Sequence, residues 1–305
     1  MAAPFADAVA RAGKRLLDIA AQNLGKQDRV LVVDPLIDAS TGQQTVGTSE
    51  MGKLLVGEVK TAHPYWAVKT FTRDTLSSTP LLLIGTLTAI NTKNNVDEVA
   101  DAFRICLRLV DLRTGRVVAR ALDRATAESV DAAPLPVFRD SPTWHKDKTV
   151  NGYIKSCQGT ANVGDPIDPP YLIRLSAAAV VNEAHMAFAE NRMADAARIF
   201  KEAAAIAEPD DLRVLNGLYL ANWRLGRQRE AGEAFRKIAA QGIAAKQLPV
   251  KLLFAPGKAQ PVNVPDLQAQ YNLWVREVAQ VSQAEGTCLR VIGHTPLVQL
   301  HRIPD

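Results

Sequence analysis

Few residues in this chain combine types and spacing that suggest chemistry. Asp34 and Asp38 stand four apart at the end of the apolar run RVLVVDPLID. Two carboxylates beyond a strand could act as an acid–base pair. Beside Pro35, turn and helix-cap duty explains them better. Cys106 sits between Arg104 and Arg108 in an alternating segment. Flanking guanidinium groups can lower a thiol's pKa and make it reactive. The plainer reading is a small residue on the polar face of a sheet. His63-Pro64-Tyr65-Trp66 and Trp144-His145 set aromatics beside histidines, a pattern of pocket lining or, more often, packing. His185 is a lone helical histidine, read as a surface or packing residue rather than a ligand.

The cysteines, Cys106, Cys157 and Cys288, are widely separated, and no two stand at metal-ligand spacing. Their odd count leaves at least one thiol free in a monomer. There is no Gly-x-Ser-x-Gly, no His-Glu-x-x-His and no phosphate-cradling glycine loop. The expectation is a protein without catalytic residues, metal or cofactor.

The 305 residues suggest two or three domains. The net charge of +4 is mild, and no run of five or six like charges occurs, so nucleic acid is not an expected partner. No apolar stretch approaches the ~20 residues that span a bilayer. The N-terminus places Phe5, Val9, Ala12, Leu16 and Ile19 at amphipathic-helix spacing and lacks the order of a signal peptide. Either the protein is cytoplasmic or an export signal lies outside this sequence.

Residues 1–130 read as α-β-α-β-β-β-β, an α/β domain with a mixed sheet and helices. Ser49 is a plausible N-cap for a helix carrying Met51, Leu54, Leu55 and Val59 on one face. Gly85 marks a bulge or close approach in the strand PLLLIGTLTAI. Arg113-Thr114-Gly115 joins two strand-like runs as a hairpin. Residues 131–174 are Pro-rich and read as an extended connector, partly packed through Phe138, Trp144 and Tyr153. Residues 175–245 are Ala-rich helices with an internal repeat. Asn191 aligns with Gly226, Ala196 with Ala231, Phe200 with Phe235 and Ala203 with Ile238, each pair 35 residues apart. The small residue lets two helices approach, the aromatic fills the groove, and Asn or Gly supplies a left-handed turn. Residues 246–305 read as strand, helix, strand: VKLLFAPG, LQAQYNLWVREVAQVSQ and CLRVIGHT.

These segments carry three resemblances. RVLVVDPLID, TSEMGKLLVGEV, LLLIGTLTAI and RLVDLRTGRVVA resemble the FlgO-type domains, related to the CsgG and LpoB envelope lipoproteins. That implies a structural or assembly role in the bacterial envelope, and export. The 35-residue period resembles the tetratricopeptide family. LLFAPGKAQ, an amphipathic helix and CLRVIGHT resemble the start of an OmpA-like peptidoglycan-binding domain, with Gly293, His294 and Thr295 at its turn. The resemblance implies peptidoglycan as a ligand, with His294 and Thr295 as the carried-over residues. The pattern departs after Thr295, where Pro296 follows and the family's ligand-pairing Asp and Arg are missing. The last unit therefore reads as an incomplete β-α-β piece, interrupted after Thr295. The resemblance also implies a pairing of Cys288 with a cysteine beyond it in longer chains.

The expectation is a non-catalytic envelope protein, periplasmic or outer-membrane associated. Its helical repeats would engage an envelope protein, and its last unit would be a degenerate peptidoglycan anchor. The alternative is a cytoplasmic scaffold whose repeats bind a protein partner.

Overall fold

The computed structural model describes residues 2–25, 27–91, 100–254, 261–262 and 264–292. The chain opens with α1 (Phe5–Leu24), β1 (Arg29–Val33), β2 (Ile37–Asp38), α2 (Val46–Ala62), β3 (Trp66–Lys69) and α3 (Arg73–Leu76). β4 (Leu81–Ile90), β5 (Ala102–Asp111) and β6 (Arg116–Thr126) follow. The sheet runs β3-β1-β4-β5-β6, with β2 pairing β4. β1 is parallel to β3 and β4, and β4, β5 and β6 form an antiparallel meander. The sheet is therefore mixed, as an α/β layer requires. At the β5–β6 turn the Gly115 N–H donates to the Asp111 carbonyl at 2.8 Å, with Gly115 at φ +64°. The Asp111 carboxylate pairs with Arg113 at 2.8 Å and fixes the same turn.

Helix α1 lies on one sheet face because its apolar residues recur every three or four positions. Phe5, Val9, Ala12 and Leu16 are buried there with Met51 and Leu55 of α2 and with Ile105, Leu107 and Leu109 of β5. Each fully buried Leu or Phe contributes about 1.5–3 kcal/mol. The N-cap of α2 is Thr45 rather than Ser49. Thr45 and Thr48 form a reciprocal capping box, and Ser49 lies one turn inside, donating its N–H to the Thr45 carbonyl. Gly85 is a close-approach point: a Cβ there would stand 2.8 Å from Leu107 Cδ2 and 3.1 Å from the Cys106 carbonyl oxygen.

The region expected to be an extended connector holds regular structure. It contains α4 (Pro136–Arg139) and α5 (Lys148–Gln158), and α6 (Pro169–Ala189) starts within it. Asp147 caps α5, and Val150, Tyr153 and Cys157 make its buried face. Helix α6 spans two environments. Tyr171, Leu175, Ala178 and Ala179 pack with α5 on the second sheet face, while Ala184, Ala187 and Phe188 enter a separate helical core.

That helical core contains α7 (Met193–Ala204), α8 (Leu212–Arg224), α9 (Gln228–Ala244) and α10 (Pro265–Ala284). α10 docks on α9 through Tyr271, Leu273 and Trp274, with buried Glu277 paired to Arg236 at 2.7 Å. The strands expected on either side of α10 are not formed among the described residues. Residues 250–254 make only isolated bridges, Thr143 with Val250 and Phe254 with Pro261. Residues 288–292 have no strand partner, and Val291 is 92% exposed. An apolar run becomes a strand only where a neighbour takes its backbone hydrogen bonds. Here α10 turns its apolar face to α9 instead. None of the helices described is long and apolar enough to cross a membrane.

Candidate functional site

The parallel part of the sheet fixes where a site can form. β1 has β3 on one side and β4 on the other, so the chain leaves the carboxyl end of β1 at a point where the connections diverge. In open α/β sheets such a point leaves a crevice beyond the strand ends. Asp34 stands there, immediately after β1 and only 4% exposed. Its N–H donates to the Leu83 carbonyl of β4 at 3.0 Å, which fixes the backbone. Its carboxylate accepts the Tyr171 hydroxyl of α6 at 2.5 Å. Burial pushes the Asp34 carboxyl up to about 6, against the opposing pull of Tyr171 and the Arg213 charge.

A second tier of charge surrounds this pair. Arg213 of α8 forms a fork on Asp211, with contacts of 2.7 and 3.1 Å. Burial disfavours the Arg213 charge; Asp211, with Asp147 and Asp34, more than offsets it and raises its pKa. Asp147 caps two helices at once. One oxygen accepts from Val150 N in α5 at 2.8 Å, the other from Leu212 N in α8 at 3.0 Å. Burial, reinforced by Asp211, raises the Asp147 carboxyl. Tyr153 of α5 reaches Gly85 in β4, accepting its N–H at 3.1 Å, and its own pKa is driven well up by burial. His185 completes the shell, ring edges against Phe138 and Phe200 at 5.5 and 5.6 Å. Its Nε2 is shielded and has no hydrogen-bond partner, and burial holds the ring neutral, with a pKa pulled down to about 3.

The cavity enclosed by Asp34, Tyr153, Tyr171, Arg174, His185 and Arg213 has a volume of about 40 Å³. That admits a few waters and little else. A second space lies across the Asp34-Pro35 loop, along α2. It is an open groove of about 410 Å³, lined by Val33, Leu36, Thr48, Gly52, Lys53 and Val56 among others. The carboxyl, imidazole and phenol groups thus lie around the smaller space, and the room lies in the other.

The structure separates the residues singled out in the sequence. The Asp38 carboxylate caps its own turn, accepting from Ser40 N at 2.8 Å and Thr41 Oγ1 at 3.0 Å, and among the described residues it does not pair with Asp34. His63 Nδ1 meets the Tyr65 hydroxyl at 2.8 Å, and its ring stacks on Trp66 at 4.5 Å, tying α2 to β3. Trp144 donates to the Thr41 carbonyl at 2.9 Å. Cys106 does not lie on an open polar face, because α5 covers it. Arg108 bonds the Ser156 carbonyl at 3.0 Å and that of Gly159, and Arg104 meets the Gln158 side chain at 2.9 Å. Two cations thus close the carbonyl end of α5, where the helix dipole favours them. Ala196, Phe200, Ala231 and Phe235 are all fully buried in the helical core. Asn191 (φ 59°) and Gly226 (φ 71°) close α6 and α8 with the same bonding. Arg192 N donates to the Ala187 carbonyl and Arg227 N to that of Asn222, both at 2.9 Å. His294 and Thr295 lie outside the described residues. Tyr171, Asp147, Asp211 and Arg213 were not anticipated. The one local signal was Asp147 and Asp211 preceding helical runs, as N-caps do.

No family model matches this chain, and no curated protein does. Solved structures similar to part of it include the LpoB C-terminal domain from Salmonella enterica, at 12% identity and a TM-score of 0.29, covering 39% of this chain and 98% of that one. The LpoB C-terminal domain from Escherichia coli is similar at 12% identity and a TM-score of 0.25, covering 37% of this chain and 97% of that one.

Proposed function

We propose that this chain is a non-catalytic binding protein of the bacterial envelope, which holds a protein partner in the groove along α2. One observation carries the proposal: the separation of space from chemistry. The groove of about 410 Å³ is lined by aliphatic side chains, hydroxyls, Gln44 and Lys53, with no carboxylate, imidazole or thiol among its lining residues. An open, mostly apolar concavity of that size is the ordinary form of a recognition site. Asp34, Tyr171 and His185 face the smaller cavity; Asp34 and Tyr171 hold each other, and His185 is packed between Phe138 and Phe200. The envelope assignment rests on the sequence resemblance of residues 1–130, and the peptidoglycan reading on that of Gly293, His294 and Thr295. The helical hairpins add a further surface for the partner.

Gly52 provides a direct test. A Cβ there meets only Leu36 Cδ1, at 3.9 Å, so a larger side chain enters the groove without disturbing the helix. Gly52→Phe is expected to fold with unchanged melting temperature. It should lose the envelope protein that the unaltered chain retains from a solubilised envelope fraction. Equal retention by both chains would remove the groove from the proposal. Cell fractionation separates this reading from a cytoplasmic scaffold, and retention on purified sacculi tests the peptidoglycan component.

A further inference from the structure

Where α5 closes over β5, two cysteines meet. Cys106 of β5 and Cys157 of α5 are both buried, at 4% and 1% exposure, with sulfurs 2.8 Å apart. Each Sγ also faces the other residue's carbonyl oxygen, at 2.9 Å from Cys106 and 3.2 Å from Cys157. The surroundings hold this approach in place. Gln158 donates to Thr86 Oγ1 and Thr88 Oγ1 at 2.9 and 2.8 Å, and Arg108 grips the last turn of α5. Strand and helix are therefore fixed on both sides of the sulfur pair. A cystine has an S–S bond of about 2.05 Å, so only a small further approach separates the two sulfurs from a bond.

We propose that Cys106 and Cys157 form a structural disulfide that staples α5 to the sheet, made by exchange with a small-molecule or protein disulfide while the chain folds. The Cys106 thiolate attacks one sulfur of the oxidant, forming a mixed disulfide and releasing one reduced thiol. The Cys157 thiolate then displaces the second reduced thiol from Cys106. Two protein thiols lose two protons and two electrons, and the oxidant's disulfide is reduced to two thiols. Both sulfurs are enclosed in the folded chain, so the bond closes as α5 docks. Arg104 and Arg108 on the same strand favour the Cys106 thiolate as the first nucleophile. The staple joins residues 51 apart in sequence, so it restricts the unfolded chain substantially. It also fixes the helix that brings Val150 and Tyr153 to the cavity. The inference is independent of the partner groove.

The test uses the full chain carrying Cys288→Ser, so that no third thiol can exchange. The protein is unfolded, refolded in a glutathione redox buffer, then denatured without reductant for thiol titration and intact mass. Expected are no free thiols, a mass lower by two hydrogens, and a tryptic pair joining the Cys106 and Cys157 peptides. Its melting temperature should fall by several degrees on reduction. That shift should be absent in the Cys106→Ala, Cys288→Ser double variant. If that double variant does not fold, the thiol count and mass decide alone. Two free thiols, or a mass raised by glutathione adducts, would overturn the proposal.

Discussion

The two faces of the sheet are built differently. On the face under α1 and α2, the buried core is aliphatic and aromatic, with α1 meeting β5 through Leu16, Ile105 and Leu107, and the buried polar residues Thr45, Thr48 and His63 sit at the ends of α2. On the face under α5 and α6, the apolar contacts of Val150, Tyr153 and Leu175 are interrupted by buried polar groups. Arg108, Thr86 and Asp34 are among them, each satisfied by a partner from the covering helices. The first face can be assembled by any helix with the right apolar stripe. The second accepts only helices that bring the matching donors and acceptors, since an unmatched buried polar group costs about 1–3 kcal/mol. The dry face supplies cohesion; the polar face specifies which helix docks and in what register.

The largest effect expected from breaking this contrast is on the dry face. Leu107 is fully buried and packs against Gly85. Leu107→Ala leaves a cavity in a fully buried position and should cost about 2–5 kcal/mol. Urea unfolding monitored by circular dichroism would measure it. A loss below about 1 kcal/mol would mean that this face is looser than described.

The next test uses pH and sharpens the contrast, since Asp34 and His185 line the cavity beside the polar face, whereas the dry face carries its titratable groups at its margins, His63 at the end of α2 and Asp123 paired with Arg11. Asp34, raised to about 6 from 3.8, keeps its proton in the folded chain where the unfolded chain has lost it. Its contribution therefore makes stability fall as pH rises from about 4 to 6. His185, lowered to about 3 from 6.5, stays neutral in the folded chain where the unfolded chain is protonated. Its contribution makes stability fall as pH drops through 6.5. The two oppose each other across the same window, so each masks the other. Asp34→Asn should make the chain lose about 2–3 kcal/mol relative to the unaltered protein between pH 7 and 4. His185→Phe should move the other way over that range. Unfolding free energies of the three chains at pH 4, 5, 6 and 7 would show diverging profiles; parallel ones would mean that neither group is buried as described.

Features made by residues close in sequence were legible beforehand. The Asp111 to Gly115 turn, the alternation of β5 and the 35-residue spacing of Asn191 and Gly226 all depend on neighbours. Helix α5 was missed although Val150, Tyr153, Ile154 and Cys157 stand at helical spacing. The prolines at 134, 136, 142, 166, 169 and 170 suggested a connector, whereas they flank the helix rather than interrupt it. The strand expected over CLRVIGHT, 288–295, was the opposite error for its described part, 288–292, an apolar run that no segment among the described residues pairs with. The cavity could not be read at all. Asp34 and Tyr171 are 137 residues apart, and only the docking of α6 on the sheet brings them together. The same docking explains the arginines of β5. They pointed correctly to a polar face, but the sequence held no sign that a helix end would bury it.

Arg108 tests that burial with a smaller effect. Arg108→Met removes a buried cation and leaves the Ser156 and Gly159 carbonyls without their donor. Relief of the desolvated charge offsets part of the loss, so about 2 kcal/mol is expected. The cost should fall on α5 specifically. Hydrogen exchange would show residues 148–158 opening earlier while α1 keeps its protection. Uniform loss of protection would mean that the two faces unfold together and that Arg108 does not select the helix.

The smallest effect should come from Thr45, which anchors α2 on the dry face. Its hydroxyl accepts from Thr48 N at 3.2 Å while Thr48 Oγ1 accepts from Thr45 N at 2.8 Å, and the exchange stays within one turn. Thr45→Ala should cost about 1 kcal/mol, and Thr45→Ser much less, because serine keeps the acceptor. Asp147 on the polar face differs, since its two oxygens cap α5 and α8 together. A cap confined to its own helix should leave exchange protection in α8 unchanged, whereas Asp147→Ala should lower it along with that of α5. If Thr45→Ala also loosened α8, capping on the dry face would not be local, and the division of labour between the two faces would fail at its weakest contact.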